Sequence, residues 1–291
     1  MSRSPHNDEY VRRVNLVIDY IYANLADDLT LERLASVAGF SPFHFHRIFK
    51  LLVDETLSQF VWRARVERGA LLLRTRPQLP VSDVAAVCGF GSLVAFSRAF
   101  KQRFGLPPTR WIPHQPEPVR LEQRTGCPAE FPVTIRQLPP QRLAYVRVFD
   151  SYSDYARIVE AYHRLVAWYC SKGGEPGDTA LYGMSHDDPD ITPLPLCRFD
   201  WCVSVPAGWT SNGDVAIRDF PACDVAAVSM TGDIHLEEQV LYYLWGCWLP
   251  SSVYQPADLP AMEIYRRWPD ASGTDETFHL DCAVPIIPLG A

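Results

Sequence analysis

The stretch "GFSPFHFHRIFK", residues 39–50, opens like a helix, and "GFGSLVAFSRAFK", residues 89–101, repeats its grammar fifty residues later. In the first copy Ser41 precedes Pro42, a helix start: the hydroxyl caps an orphan amide, and proline at the first helical position has no amide to leave unpaired. Phe45, Ile48, Phe49 and Leu52 then fall on one face at helical spacing, with Phe43, His46, Arg47 and Lys50 on the other. In the second copy Phe96, Ala99, Phe100 and Arg103 or Phe104 take the first face, and Val94, Ser97, Arg98 and Lys101 the second. Gly91 is one extra residue, so the glycines repeat at an offset of 50 and the helices at 51.

Each copy follows a short helical stretch and a Gly-Phe turn, "LERLASVAGF" and "VSDVAAVCGF". Helix, tight turn, then a helix with one apolar and one basic-polar face is the helix-turn-helix layout. Arginine can donate two hydrogen bonds to guanine, and lysine chiefly engages phosphate. On this reading Arg47 and Arg98 address bases, Lys50 and Lys101 the backbone, and His46 and Ser97 add hydrogen bonds. Phe43 and Val94 can pack on thymine methyls. One chain carrying both units can place two helices in successive major-groove segments about 34 Å apart, so a monomer suffices for a two-part site.

Working outward, Val14, Val17, Ile18, Ile21 and Leu25 form an amphipathic stripe before the first unit. "SQFVWRARVERGALLLRT" predicts a long helix between the units, despite Gly69, which costs about 1 kcal/mol relative to alanine. Thr30 is positioned as a cap for the helix that starts near Leu31. Residues 1–125 hold 17 basic and 12 acidic side chains, net +5, while the remainder holds 10 and 22, net −12. The first half suits a polyanion; the second repels one. Residues 111–132, rich in proline and polar residues, read as a linker, giving domains at 8–113 and 131–289 joined through 114–130.

The chain has 291 residues and is 47% hydrophobic, enough for two cores, but has no apolar run of about 18 residues to span a membrane. No secretory leader is legible at the N-terminus, and the eight scattered cysteines, without a Cys-x-x-Cys pair, read as reduced thiols of a cytoplasmic protein. No phosphate loop or nucleophile elbow appears, and "SHDDPD" at Ser185 lacks the histidines of a metal site and reads as a turn. The expectation is therefore no metal and no cofactor.

Beyond the linker a second repeat appears: "IRQLPPQRLAYVRV" at Ile135 and "IRDFPACDVAAVSM" at Ile217, an offset of 82. The same offset carries the helical residues 153–170 onto 235–249, and "LYGMSHDD" at Leu181 onto "EIYRRWPD" at Glu263. Each half reads as strand, helix, strand, strand. The fold class is thus multidomain: an all-α double helix-turn-helix domain followed by an α+β domain of two duplicated β-α-β-β halves.

"LERLASVAGFSPFHFHRIFK", "RARVERGALLLR" and "VSDVAAVCGFGSLVAFSRAFKQRFGLPPTRW" resemble, in order and spacing, the DNA-binding domain of AraC/XylS-type transcription regulators. That resemblance implies base contacts from Phe43, His44, His46 and Arg47 in the first recognition helix. In the second it implies them from Ser92, Leu93, Val94 and Arg98. Two departures stand out: Ile112 replaces the arginine that usually closes the signature, and Gly69 stands where alanine is usual. "DDPDITP", "LYYLWGCWLPSSVY" and "PAMEIYRRWPD" make residues 131–288 resemble a GyrI-like effector domain, a Rob-like architecture. The resemblance places the glutamate of "MEIY", Glu263, in a cleft between the duplicated halves.

A carboxylate among aromatic faces favours an organic cation through charge pairing and the ring quadrupoles. Trp201, Trp245, Trp248 and Tyr265 are the candidate lining, although Glu263 could instead pair with Arg266 or Arg267. Some isolated GyrI-like domains resemble hydrolases, and Glu263 with Tyr145 or Tyr182 is the corresponding catalytic alternative, as a small-molecule scavenger or hydrolase. The leading expectation is a transcription regulator, not an enzyme. Its partners are double-stranded DNA, an aromatic or cationic small-molecule effector and, through recruitment, RNA polymerase, with no membrane.

Overall fold

The computed structural model describes residues 5–111, 129–269 and 277–290. They sort into two compact units, one built on the N-terminal helices and one on the strands that follow. Most of the expected linker, 112–128, lies outside the described residues.

The helical unit runs α1 (Pro5–Ala23), α2 (Leu31–Ala38), α3 (Pro42–Val53), α4 (Leu57–Thr75), α5 (Val81–Val87) and α6 (Leu93–Phe104). Thr30 and Ser41 cap α2 and α3 as read from the sequence, and Ser92 caps α6 by accepting from the Ala95 amide. The two Gly-Phe turns are built alike: Phe40 N donates to Ala35 O, and Phe90 N to Ala85 O. Gly39 and Gly89 take φ of 67° and 76°, the left-handed conformation that favours glycine. Val14, Val17, Ile18 and Ile21 are buried, as their spacing predicts, and the apolar faces of α3 and α6 close over α4.

Helix α4 serves both helix-turn-helix motifs of the helical unit. Phe60 packs edge-on against Phe49 of the first, with ring centroids 5.4 Å apart. Gly69 receives Phe96 of the second so closely that a Cβ would lie 2.6 Å from Phe96 Cε2. The glycine thus has a packing reason that outweighs helix propensity. Gly69→Ala is expected to destabilise this unit by about 1–3 kcal/mol through overpacking, although alanine is the better helix former. Urea denaturation checks the sign; a stabilised variant would contradict the close approach of Phe96.

Among the described residues, the second unit is a nine-stranded sheet with two longer helices packed on it and a short third. Its strands are β1 (Thr134–Leu138), β2 (Gln141–Phe149), β3 (Leu181–Ser185), β4 (Arg198–Ser204), β5 (Ala216–Phe220), β6 (Cys223–Gly232), β7 (Tyr254–Pro256), β8 (Ala261–Tyr265) and β9 (Phe278–Pro288). Helix α7 (Tyr155–Ser171) packs on β2 and β4, and α8 (Ile234–Tyr242) on β6 and β9. A π-helical turn, Tyr243–Trp248, continues α8 into the short α9 (Leu249–Ser251). The order is β1-β6-β9-β8-β3-β4-β2-β5, with β7 beside β9.

The duplication is visible in the register. At the central junction Leu181 pairs with Tyr265 and Gly183 with Glu263. The offset of 82 exchanges those two pairs, so a pseudo-twofold axis passes between β3 and β8 at Tyr182 and Ile264. One detail refines the sequence reading: each half opens with two strands rather than one. Pro139 and Pro140 break the first run, and β1 leaves its own half to pair with β6. Its counterpart β5 lies beside β2 in the same manner.

Candidate nucleic-acid interface and effector site

Along α3 and α6 the outward positions match at an offset of 51. Phe43, Arg47 and Lys50 are exposed on α3, and Val94, Arg98 and Lys101 on α6. Phe43 is 75% and Val94 78% exposed, so each apolar side chain is held toward solvent on a polar face. The Arg47 guanidinium lies 5.7 Å from the Phe43 ring centroid, which pre-orders it on the helix surface. Leu51, 81% exposed one turn beyond Arg47, belongs to the same face and was missed by the sequence reading, because its aliphatic character hid it. Its counterpart Gln102 is also exposed.

The two histidines sit on opposite edges of this face. His44 is tied to its own domain, its ring 5.7 Å from Tyr10 and 5.1 Å from Phe40. His46 lines a depression of about 310 Å3 with Leu31, Trp62, Arg65 and Phe90. Ser97 is half-buried, and the Ser92 hydroxyl is occupied by its capping bond, with Leu93 exposed beside it.

Buried charge sets the spacing of the two helix-turn-helix motifs. Arg65 on α4 donates to Leu25 O and Asp27 O at 2.9 and 2.7 Å, and its guanidinium also abuts Gly89. Arg63 grips Glu55 and Glu67, and Arg103 from α6 reaches Glu67 at 3.1 Å. Burial raises the Glu67 pKa, opposed by both guanidinia. The carboxylate is therefore a tie between α4 and α6.

In the strand-rich unit, side chains of alternate residues divide between two faces. Trp201 touches Tyr162 of α7 and Tyr265 of β8, at 5.2 Å in each case, and its Nε1 donates to Ile158 O. Tyr265 Oη donates to Glu263 Oε2 at 2.7 Å, and the Glu237 carboxyl of α8 comes within hydrogen-bonding reach of Glu263. Both helices therefore cover the same face, and Glu263, Tyr265 and Trp201 meet beneath them near the pseudo-twofold axis. Gly183 and Cys282 flank Glu263 in register. A Cβ on Gly183 would lie 2.6 Å from Glu263 Oε2 and 2.7 Å from Phe199 Cζ, so glycine is what admits the carboxylate.

Burial pushes the Glu263 carboxyl up, and burial with the neighbouring carboxylates holds the Tyr265 phenol well above its usual range. The second half supplies the acids, Glu237 and Glu263; the first supplies aromatic surface in Trp201, Tyr162 and Phe199. Glu237 escaped the sequence reading, although its place on the buried stripe of α8 with Val240 was a usable signal.

Other candidates fall elsewhere. Trp248 stacks on Tyr254 with planes 15° apart, and Trp245 is 38% exposed on the π-helical turn. No described contact brings either to Glu263. Arg266 is engaged by Asp281 at 3.3 Å and by Met230 O, rather than by Glu263. Tyr145 and Tyr182 project from the opposite face of the sheet, Tyr182 bonded to Gln141 and Tyr145 lying under Arg147 and Arg218. Strand alternation thus removes both phenols from the proposed hydrolytic pair. The "SHDDPD" stretch does more than turn, since His186 meets Asp200 at 2.7 Å and Asp187 meets Arg198 at 2.7 Å. Among the described residues Cys88, Cys170, Cys197, Cys202, Cys223 and Cys282 are free thiols, and Cys127 lies outside the described residues. Among the described residues, no helix is long and apolar enough to cross a membrane.

Comparison with known proteins finds a family match in each half of the chain. Residues 131–286 match the GyrI-like small molecule binding domain, and residues 34–113 match a helix-turn-helix domain. The probable transcriptional regulator LumQ of Photobacterium leiognathi is 36% identical over 107 residues, 36% of this chain and 43% of that protein. The right origin-binding protein of Escherichia coli (strain K12) is 28% identical over 182 residues, 58% of this chain and 60% of its own length. The chain thus spans less than two thirds of the length of these relatives. Among solved structures, the DNA-binding domain of AdpA in complex with a target DNA is 30% identical, with a TM-score of 0.32. That match covers 33% of this chain and 86% of the other. Two helix-turn-helix units followed by a duplicated sheet with a carboxylate at its axis place the chain in the GyrI-like small molecule binding family, joined to an AraC-type helix-turn-helix domain.

Proposed function

We propose that the protein is a cytoplasmic transcription regulator that reads duplex DNA through α3 and α6 and answers to an organic-cation effector bound at Glu263. The observation that carries this reading is the matched pair of exposed faces, Phe43–Arg47–Lys50 and Val94–Arg98–Lys101, on capped helices tied to one central helix. Both arginines are then available for base edges and both lysines for phosphates. A single chain supplies both halves of a two-part site. On the effector side, the Glu263 carboxylate accepts from Tyr265, whose ring in turn meets Trp201, which suits a flat or lipophilic cation. Effector binding would alter DNA affinity, or recruitment of RNA polymerase, through the 114–130 connection between domains 8–113 and 131–289.

Mobility shifts at several salt concentrations test the DNA reading. Arg47→Ala should lose about 1–3 kcal/mol on the preferred site and relax preference at one base position. Lys50→Ala should weaken all sequences alike and lower the salt slope by about one. If binding of both variants matches the wild type, the outward face of α3 is not the reading surface.

A further inference from the structure

Glu237 and Glu263 belong to different elements, α8 and β8, and their carboxyl groups come within hydrogen-bonding reach of each other under α8, beside Cys282 and Tyr265. An ionised carboxylate only accepts hydrogen bonds, so a bond between two carboxyl groups needs a proton on one of them. Glu237 is 4% exposed, while Glu263 is partly exposed and accepts a second bond from Tyr265. The titratable groups facing the pair are Tyr265 on β8, Cys282 on β9, Glu238 on α8 itself, and Tyr152 and Tyr155 beside the start of α7. Each of these is neutral or anionic near pH 7, and none supplies a counter-charge. Burial, followed by repulsion from Glu263, pushes the Glu237 carboxyl up to about 9. Cys282 is pushed up by burial and by the same two acids, so it stays a neutral thiol.

Building on the effector-site reading above, we propose that the ligand-free protein holds one proton between Glu237 and Glu263, and that a lipophilic organic monocation binds in exchange for that proton. The O–H bond of the shared proton breaks, the proton passes to solvent, and the ionised pair balances the incoming charge. The exchange keeps the buried site near one net negative charge before binding and near the same value after. It also sets the ligand class: a neutral aromatic molecule cannot drive out the proton, because it offers the second carboxylate no positive charge. Below the pair's upper titration, affinity for a permanently charged cation should rise about tenfold per pH unit and then level off.

Calorimetry on the full-length protein with benzyltrimethylammonium, whose charge does not change with pH, provides the test. In phosphate and Tris buffers at pH 7, which differ in ionisation enthalpy, the heats should differ by the equivalent of close to one proton released per cation bound. Glu237→Gln keeps a hydrogen-bond donor to Glu263 but has no proton to lose; it should still bind while proton release and pH slope fall several-fold. Binding with equal heats in both buffers overturns the exchange and leaves the cation site standing. Retention of full proton release by a folded Glu237→Gln variant also overturns it, since the proton would then come from elsewhere. Should that variant fail to fold, the wild-type heats in two buffers and the affinities from pH 6 to 9 decide alone. Absence of binding at every pH removes both the exchange and the effector-site reading.

Discussion

Asp200→Ala is expected to cost the strand-rich unit about 3–5 kcal/mol, the range seen when one partner of a buried ion pair is removed. Asp200 is fully buried and holds three partners on the face of the sheet opposite Glu263. Arg147 Nε and Nη2 donate to its two oxygens at 2.8 Å each, Arg218 approaches at 3.1 Å and His186 at 2.7 Å. Removing the carboxylate leaves two guanidinium groups facing each other over the Tyr145 ring without their shared anion. For a domain of this size the loss corresponds to a fall in melting temperature on the order of 10 °C. A drop of less than about 2 °C would mean that water or another anion compensates the arginines.

The same cluster fixes a direction for pH dependence. Burial works against the ionised Asp200, but the neighbouring Arg147, His186 and Arg218 charges hold its pKa well below the usual aspartate range. Its contribution is therefore present above the unfolded-state value near 4 and is lost as pH falls toward the folded value. Burial, opposed by Asp200, also lowers the His186 pKa, so that group's contribution is complete above about 6.5 and declines below it. Both effects weaken the unit in acid; Asp200→Ala should remove the aspartate's part of the loss below about pH 4, while the His186 part below about 6.5 remains.

Gly89→Ala should be nearly as damaging to the helical unit, at about 2–4 kcal/mol. Two costs combine there. An alanine at φ of 76° adopts the left-handed conformation at roughly 1–2 kcal/mol. Its Cβ would also overlap the Leu25 carbonyl oxygen and press on the Arg65 guanidinium that donates to it. The second turn would have to move away from the end of α1, loosening the frame that spaces α3 and α6. DNA affinity should fall along with stability. Gly91→Ala is the matched control, because nothing lies within 4 Å of a Cβ there, and it should be close to neutral. Equal stability for the two variants would contradict the close approach at Leu25.

Much of this molecule was legible in one dimension because the relevant signals are local. Caps at Thr30 and Ser41, helical spacing of Phe45, Ile48 and Phe49, and the Gly-Phe turns depend on residues within one or two turns of each other. The repeated offsets of 51 and 82 need only comparison of the chain with itself. Gly69 shows the limit of such reasoning. As an isolated helix residue it looked merely costly, and only the approach of Phe96, distant in sequence, turns it into a requirement.

The amino-acid order by itself determined two helix-turn-helix units, the faces they expose, the duplicated α+β half and the glutamate at its centre. The first three follow from periodicity, capping and repetition, and the glutamate's place from the resemblance to GyrI-like domains. Tertiary structure alone decided which side chains meet: that β1 and β5 cross to the opposite halves, that Glu237 joins Glu263 while Trp248 does not, and that Tyr145 and Tyr182 face away. Those outcomes depend on strand register and on packing between segments scores of residues apart, where a shift of one residue reverses the face of every side chain.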